Sequence, residues 1–293
     1  MRTFFYPESL VIIGVSVSRL NLGKIILTNN AKRGFAGRLY GVGREEGEVE
    51  GKRVYTKISD LPEIPDVAII ITPAETVPDM LRECGLKGIR RVVIESGGFS
   101  EFSGSAGDLE KKLLDIAGEF DIKFIGPNCV GTINFETNIM MPFAFASKFY
   151  EAGDISIITQ SGGVGNTFLQ ALPDNHVFLN KFVSVGNKLQ LDEVDFLSYY
   201  LSDPATSAVL AYLEGFSRGR AFFDCAMAAE KPIIVQKSNR SAMSAKIAQS
   251  HTSALSSSDD IVDAAFRQSA VIRADDEEDM ISAAKILRSE ERR

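Results

Sequence analysis

Residues 155–165, ISIITQSGGVG, form the most informative stretch of this sequence. The apolar run Ile155–Thr159 has the length and β-branched content of a strand that is covered on both faces. The glycine-rich turn that follows opens a segment of helical periodicity. Such a turn would aim backbone N–H groups and the positive end of the helix dipole at one spot. We expect Ser161, Gly162 and Gly163 to bind an anion there, although a glycine-rich turn without a ligand is the competing interpretation.

The same alternation of apolar runs and helical segments extends through the whole chain. The predicted strands lie at residues 10–16, 39–42, 67–72, 91–96 and 123–125, and again at 155–159, 182–185, 208–213, 233–236 and 270–273. The predicted helices lie at residues 76–86, 109–120, 194–201, 221–229, 259–268 and 277–287. This order is typical of parallel strands joined by crossover helices, so the sequence predicts the α/β class with two doubly wound, mostly parallel sheets.

The loop-rich residues 126–153 predict a join between two domains, which we place at residues 1–130 and 150–290. A chain of 293 residues is long enough for two compact domains. The net charge of −7 argues against a nucleic-acid partner, because binding to a phosphate backbone requires a surplus of Lys and Arg. We recognise no signal peptide and no apolar stretch long enough to span a bilayer, and therefore expect a cytoplasmic protein without a membrane partner.

The three cysteines, Cys84, Cys129 and Cys225, are widely scattered along the chain. Their spacing favours reduced thiols over a disulfide framework or a zinc site, so we predict no metal site.

Loops at the carboxyl ends of the predicted strands are the candidate ligand sites of the first half. The loop after the first strand contains Gly14, but it lacks the three glycines of a dinucleotide-binding fingerprint. The second strand ends near Arg44, a cation where a nicotinamide cofactor would require a carboxylate. We expect this pocket to accept a phosphate, with Arg44 and Lys24 as candidate partners; the alternative for both is a solvated surface charge.

The two histidines of the sequence have different surroundings. His176 lies in a polar turn and is predicted to be a surface residue. His251 lies in a small, hydroxyl-rich loop, and Glu214 ends an apolar strand. A carboxylate that binds one imidazole nitrogen leaves the other free to attack phosphorus, so we take His251 and Glu214 as candidate catalytic residues.

Six segments, read in order, resemble the NDP-forming acyl-CoA synthetases and the α subunit of succinyl-CoA synthetase. They are ECGLKG (83–88), GPNCVG (126–131), SGGVG (161–165), SVGNK (184–188), YLEG (212–215) and SHT (250–252). The resemblance extends from about residue 6 to residue 287. It implies a Rossmann-like CoA-binding domain followed by a flavodoxin-like ligase domain.

The resemblance also implies roles for individual residues. His251 corresponds to the histidine that is transiently phosphorylated, Glu214 to the carboxylate that orients it, and Ser161, Gly162 and Gly163 to the phosphate cradle. The resemblance places further CoA contacts at Ser16, Val17, Ser18, Arg19, Arg44, Thr72, Pro73, Glu95, Ser96, Gly97 and Asn128. Gly14 and Lys24 complete the set of expected CoA contacts.

The reaction that the resemblance implies is that of an acid–CoA ligase. Acyl-CoA, phosphate and ADP give acid, CoA and ATP through an acyl phosphate and phospho-His251. In the family ADP and Mg²⁺ bind to an ATP-grasp domain, so we expect an ATP-grasp β subunit as partner and an α2β2-type or homodimeric association.

Two alternatives stay open at this point. Ser253 stands where these synthetases usually have glycine after the His-Thr pair, and Val17 with Leu22 interrupts a first loop that is usually richer in Gly and Pro. A regulatory homologue that binds CoA or acyl-CoA without turnover is therefore the second hypothesis. An NAD-dependent oxidoreductase is the third and weakest, because the glycine triplet and the ribose-binding acid are both missing.

Overall fold

The computed structural model of the chain describes residues 1–18, 20–99, 106–143, 151–239 and 259–290. Within these parts the strands form two sheets of seven, and helices lie between them along the chain. The predicted α/β class with two mostly parallel sheets is confirmed. None of the helices in the described ranges is both long and apolar enough to cross a membrane.

The first sheet has the strand order β3-β4-β2-β1-β5-β6-β7. Its strands are β1 (Ser9–Ile13), β2 (Arg38–Val42), β3 (Gly47–Val49), β4 (Lys52–Tyr55), β5 (Val67–Ile70), β6 (Arg91–Ile94) and β7 (Lys123–Ile125). Its helices are α1 (Leu22–Arg33), α2 (Val77–Lys87) and α3 (Ala106–Phe120), with short 3-10 helices at Arg2–Phe4, Ile58–Asp60 and Ala74–Thr76. β3 runs antiparallel to β4, and the other described pairs of this sheet are parallel. The central strands β1 and β5 are buried along their whole length, as their apolar sequences predict.

The second sheet has the strand order β14-β13-β12-β10-β11-β8-β9. Its strands are β8 (Gly131–Asn134), β9 (Ile139–Met140), β10 (Ile155–Thr159), β11 (Leu179–Ser184), β12 (Ala208–Leu213), β13 (Ile233–Lys237) and β14 (Ile272–Ala274). Its helices are α4 (Gly162–Asp174), α5 (Glu193–Ser202), α6 (Gly219–Met227), α7 (Asp259–Gln268) and α8 (Glu277–Glu290). Strands β10 to β14 pair in parallel, whereas β8 is antiparallel to both β11 and β9.

The prediction that residues 126–153 are loop is wrong in part, because β8 and β9 lie among them and extend the second sheet. β8 carries polar residues, Thr132 and Asn134, that are fully buried. Thr132 Oγ1 donates to the carbonyl oxygen of Phe4 at 2.8 Å, and Asn134 Nδ2 donates to that of Phe5 at 2.9 Å. These partners lie about 130 residues away, so no local pattern reveals the strand.

Two amide side chains close the edges of the opposite sheets. Gln190, from the second half, accepts from the N–H of Phe124 at 2.7 Å and donates to the carbonyl of Ile122 at 3.1 Å, beside the edge strand β7. Asn30, from α1, accepts from the N–H of Met140 at 2.9 Å and donates to the carbonyl of Met140 in the edge strand β9. Each half of the chain thus satisfies backbone groups that would otherwise be unpaired at an edge of the other half.

One hydrophobic cluster continues through both halves. It includes the fully buried side chains of Phe4 and Ile12 in the first half and those of Val183, Tyr200 and Val235 in the second. Burial of apolar surface is the largest favourable term in folding, so a shared cluster stabilises the two sheets together.

Replacing Asn30 by Leu should lower the stability of the protein. The change keeps the side-chain volume but leaves the buried N–H and carbonyl of Met140 without their partner. We expect a free energy of unfolding lower by about 2–4 kcal/mol, and a melting temperature lower by roughly 4–12 °C in scanning calorimetry. Lys32→Ala, at an exposed position on the same helix, should change the free energy of unfolding by less than about 0.5 kcal/mol. Equal melting temperatures for both variants would contradict this role of Asn30.

Candidate functional site

A cavity of about 640 Å³ lies at the switch point of the second sheet, and we call it the junction cavity. β11 lies on one side of β10 and β12 on the other, so the strand order reverses direction between β10 and β12. Ligands of open α/β sheets bind at such a point, at the carboxyl ends of the strands. Its lining includes Glu95, Asn128, Ser161, Lys188 and Glu214, which come from both halves of the chain.

The predicted anion cradle lies at one wall of the junction cavity. Ser161 is the N-cap of α4, and its hydroxyl accepts from the N–H of Val164 at 3.4 Å. The first N–H groups of a helix have no partner within the helix, and those of Gly162 and Gly163 lie in this first turn. A Cβ at Gly165 would lie 2.8 Å from Thr159 Oγ1 and 2.9 Å from the Phe182 ring. Glycine at this position therefore lets α4 pack close to the ends of β10 and β11.

Glu214 lies beside this cradle because β12 is the neighbour of β10. The N–H of Gln160 donates to the carbonyl of Tyr212 at 2.9 Å. The side-chain oxygen of Gln160 accepts from the N–H groups of Glu214 at 2.9 Å and Gly215 at 3.3 Å. One buried glutamine thus ties the loop that carries Glu214 to the strand that leads into Ser161. The predicted catalytic carboxylate and the predicted phosphate cradle line the same cavity.

The opposite wall is formed where the two halves of the chain meet. Gly186 has φ +57°, and a Cβ there would lie 2.4 Å from the carbonyl oxygens of both Pro127 and Asn128. The N–H of Asn187 donates to the carbonyl of Pro127 at 2.9 Å, and Asn128 Nδ2 donates to Asn187 Oδ1 at 3.3 Å. Only glycine permits this close approach in this backbone conformation.

Glu95 reaches the junction cavity from the end of β6 and is 4 % exposed. Neither of its carboxyl oxygens has a hydrogen-bond partner among the described residues. Burial raises the pKa of this carboxyl well above its usual range, because the charged form loses its hydration. Glu95 therefore keeps its proton to a higher pH than an exposed glutamate does.

A second cavity, of about 630 Å³, lies at the switch point of the first sheet between β1 and β5, and we call it the first-sheet cavity. Gly14 has φ +110°, and a Cβ there would lie 2.4 Å from the carbonyl oxygen of Ile71. A Cβ at Gly23 would lie 2.9 Å from the carbonyl oxygen of Gly14. These two glycines bring the N-terminus of α1 against the end of β1, which is the arrangement that exposes helix N–H groups to a bound phosphate.

Asn21 organises the loop of the first-sheet cavity, and sequence reasoning missed it. Its side-chain oxygen accepts from the N–H groups of Lys24 at 2.7 Å and Ser16 at 3.0 Å, and its amide donates to the carbonyl of Gly14 at 2.9 Å. An Asn directly before a helical segment is a preferred N-cap, and this signal was present in the sequence. The ammonium of Lys24 donates to the carbonyl of Val17 at 3.0 Å, so Lys24 braces the loop that lines the cavity.

The structure divides the predicted CoA contacts between the two cavities. Gly14, Ser16, Val17, Arg44, Thr72 and Pro73 line the first-sheet cavity, whereas Glu95 and Asn128 line the junction cavity. Ser96 connects them, because its hydroxyl accepts from the N–H of Thr72 at 3.1 Å and its carbonyl accepts from the N–H of Asn128 at 3.0 Å. Ser18 and Gly97 are exposed in the neighbouring loops.

Arg19 and His251 lie outside the described residues. His176 is exposed just after α4, as predicted.

Cys84 and Cys129 are buried, and burial raises the pKa of both thiols, which disfavours their thiolate forms. In the described parts of the chain, His, Cys, Asp and Glu side chains form no group of three or more that could hold a metal ion.

Two doubly wound sheets, each with a cavity at its switch point, define the class of this chain as an α/β protein with two candidate ligand sites. Comparison with known families agrees with that division. A family described as a CoA binding domain matches residues 8–134, and one described as a succinyl-CoA ligase like flavodoxin domain matches residues 152–287.

Named relatives and solved structures resemble almost the whole chain. It is 38 % identical over 289 residues to acetate–CoA ligase [ADP-forming] I of Archaeoglobus fulgidus, covering 98 % of the chain and 42 % of that protein. It is 36 % identical over 280 residues to the α subunit of acetate–CoA ligase [ADP-forming] I of Pyrococcus furiosus, covering 94 % of the chain and 60 % of that subunit. A solved structure of acetyl-coenzyme A synthetase 1 from Candidatus Korarchaeum cryptofilum, in complex with phosphate and ADP, superposes with a TM-score of 0.91. That protein is 33 % identical, and the match covers 97 % of the chain and 61 % of that protein.

The chain belongs to the NDP-forming acyl-CoA synthetase superfamily, which includes the α subunit of succinyl-CoA synthetase. It spans about two fifths to three fifths of the length of the relatives named above. The resemblance inferred from the six sequence segments is confirmed.

Glu95→Gln should change how stability depends on pH. Because the folded pKa of Glu95 is raised, the folded protein keeps a proton that the unfolded chain loses above about pH 4.3. The protonated Glu95 carboxyl therefore contributes its full stabilisation of the fold below about pH 4.3. This contribution falls as the pH rises toward the pKa of Glu95 in the folded protein. Glutamine cannot ionise, so the melting temperature of the variant relative to the native protein should rise from about pH 5 to about pH 8.

The control for this experiment is Glu45→Gln, which changes an exposed carboxylate at the first-sheet cavity. Its melting curves should follow those of the native protein across the same pH range. Parallel curves for Glu95→Gln as well would mean that the Glu95 carboxyl is ionised in the folded protein.

Proposed function

We propose that this chain is the CoA-binding, phosphohistidine-bearing part of an ADP-forming acyl-CoA synthetase. The observation that supports it most is the shared junction cavity, which is lined by the cradle at Ser161, Gly162 and Gly163 and by Glu214. The reaction is acyl-CoA, phosphate and ADP to acid, CoA and ATP. Residues 1–130 form the CoA-binding domain of this proposal, and residues 150–290 form the ligase domain.

The first chemical step needs an anion site next to the thioester. A phosphate oxygen attacks the thioester carbonyl carbon, the C–S bond breaks, and CoA leaves with the electron pair on sulfur. N–H groups at the start of α4 hold the phosphate and the charge that develops on it without adding a group that titrates. Burial favours the neutral form of the Glu95 carboxyl, and that form adds no negative charge to the cavity that the phosphate must enter.

The second step transfers the phosphoryl group to His251. An imidazole nitrogen attacks phosphorus while the bond from phosphorus to the acyl oxygen breaks, which releases the acid. In this proposal Glu214 accepts a hydrogen bond from the other imidazole nitrogen, which fixes the ring and stabilises the positive charge that develops on it. ADP then takes the phosphoryl group from the histidine, and the sequence of steps is reversible.

CoA occupies both cavities in this proposal. Its phosphates lie in the first-sheet cavity, against the start of α1 and near Arg44, and its thioester end reaches the junction cavity. The link through Thr72, Ser96 and Asn128 supports this path, because consecutive hydrogen bonds of 3.1 Å and 3.0 Å join the loops of the two cavities.

ADP and Mg²⁺ bind in this proposal to an ATP-grasp partner, a β subunit in an α2β2-type assembly. The support is that relatives from Pyrococcus furiosus are named α subunits of ADP-forming ligases. The relatives reported above are named as ligases or synthetases, so they lend no support to a regulatory homologue without turnover. The oxidoreductase hypothesis is set aside, because the first half matches a CoA binding domain.

His251→Ala should abolish phosphorylation of the chain. The native protein, given an acyl-CoA and radiolabelled phosphate, or labelled ATP with its ATP-grasp partner, should acquire a label that is stable in base and labile in acid. His176→Ala should retain the full label, because His176 is exposed and is not among the residues of the junction cavity. A label that persists in His251→Ala would reject the mechanism.

Arg44→Gln should weaken CoA binding by about fivefold in isothermal titration calorimetry. This is the effect of losing one partly exposed ion pair of about 1 kcal/mol. The control is Arg53→Gln, which removes the same charge from an exposed arginine that pairs with Glu46 at 3.8 Å. Equal affinities for both variants would place the CoA phosphates away from Arg44.

A further inference from the structure

The loop that carries Glu214, residues 214–217, is held by side chains from other elements, and we call it the Glu214 loop. Gln160 accepts from the N–H groups of Glu214 and Gly215, as described above. The ammonium of Lys188 donates to the carbonyl of Gly215 at 2.7 Å. The carboxylate of Glu193 accepts from the N–H of Ser217 at 2.7 Å. The path of the loop therefore depends on these three side chains.

Lys188 and Glu193 also form a buried ion pair with an N–O distance of 2.9 Å. The side chain of Lys188 is 5 % exposed and that of Glu193 is 0 % exposed. Removing two charges from water costs free energy that their attraction does not reliably repay, and apolar side chains often give equal or greater stability. Net stability is therefore not a sufficient explanation of this pair, and its two hydrogen bonds to the Glu214 loop suggest another role.

The same pair is connected to the opposite wall of the junction cavity. Lys188 has φ +56° and follows directly after Gly186 and Asn187, which contact Pro127 and Asn128. The N–H of the next residue, Leu189, donates to the carbonyl of Gly126 at 3.1 Å. One short turn thus binds the first half of the chain through its backbone and the Glu214 loop through a side chain.

We propose that Lys188 and Glu193 are positioning residues that set the distance between Glu214 and the rest of the junction cavity. This inference rests on the proposed function, in which Glu214 orients His251. Lys188 lines the cavity, but its ammonium is directed at Glu193 and at the carbonyl of Gly215. In this proposal it acts through the loop and does not hold the phosphate.

The chain offers a matched control in β11, the strand that precedes Lys188. Lys181, in β11, is fully buried and pairs with Asp203 at 2.6 Å. Neither residue lines the junction cavity. Neutralising this pair changes a buried Lys–carboxylate contact of the same kind without touching the Glu214 loop.

The experiment compares the double variant Lys188→Met/Glu193→Gln with the control Lys181→Met/Asp203→Asn and the native protein. The rate of phosphohistidine formation is measured in a single turnover with acyl-CoA and varied phosphate, and the affinity for CoA by calorimetry. We expect the first variant to lose about a hundredfold in the maximal rate, the effect of a misplacement of about 1 Å at a catalytic group. Its KM for phosphate and its affinity for CoA should stay within about twofold of the native values, a limit well below the tenfold that corresponds to 1.4 kcal/mol.

The outcomes separate this inference from the proposed function. If the native protein forms no phosphohistidine, the proposed function fails and the comparison is not reached. If the native protein is active and the two double variants have equal maximal rates, the positioning role is rejected. A rise in the KM for phosphate without a fall in the maximal rate would also reject it, since Lys188 would then contact the phosphate itself.

Lys188→Arg provides the second test, and it is needed if the double variant does not fold. The guanidinium keeps the charge and can still donate to the carbonyl of Gly215, but it is longer than an ammonium. A partial loss of maximal rate at an unchanged KM for phosphate is expected. A native maximal rate for Lys188→Arg would contradict the proposed positioning of the loop.

Discussion

The contact of Gly186 with the carbonyl oxygens of Pro127 and Asn128 is the constraint on which the candidate active site depends. At this contact the backbone of the second half packs directly against that of the first half. A side chain at position 186 would prevent this packing. The junction cavity lies directly beside this contact, with Asn128 on one side and Glu214 on the other. The side-chain hydrogen bonds of Gln190 and Asn30 to the opposite sheets also hold the two sheets in this arrangement.

The electrostatics of the junction cavity follow from burial. The pKa of Glu95 is raised because its carboxyl is removed from water, and Lys188 is paired with a buried carboxylate. The helix start at Ser161 supplies partial positive charge from N–H groups whose state does not change with pH. An anion can therefore be held in a cavity that has acidic residues on its walls.

Much of the fold could be predicted because strand and helix signals are local. β10, β12 and α7 were predicted at their observed bounds, since apolar periodicity and flanking glycines are properties of adjacent residues. β8 and β9 were missed because the partners of their buried polar groups lie in distant segments. For the same reason Ser161 and Glu214 were predicted one by one, whereas Gln160, Lys188 and Glu193, which fix their relative position, were not.

The sequence by itself determined the α/β class, the order of the elements and the glycine-rich turns that can approach an anion. These follow from short-range periodicity and from the conformational freedom of glycine. The tertiary structure alone decided that the predicted CoA contacts divide between two cavities, that burial raises the pKa of Glu95, and that a buried ion pair holds the Glu214 loop. Burial and the proximity of charges depend on contacts between residues far apart in the chain, and no pattern along one sequence specifies those distances.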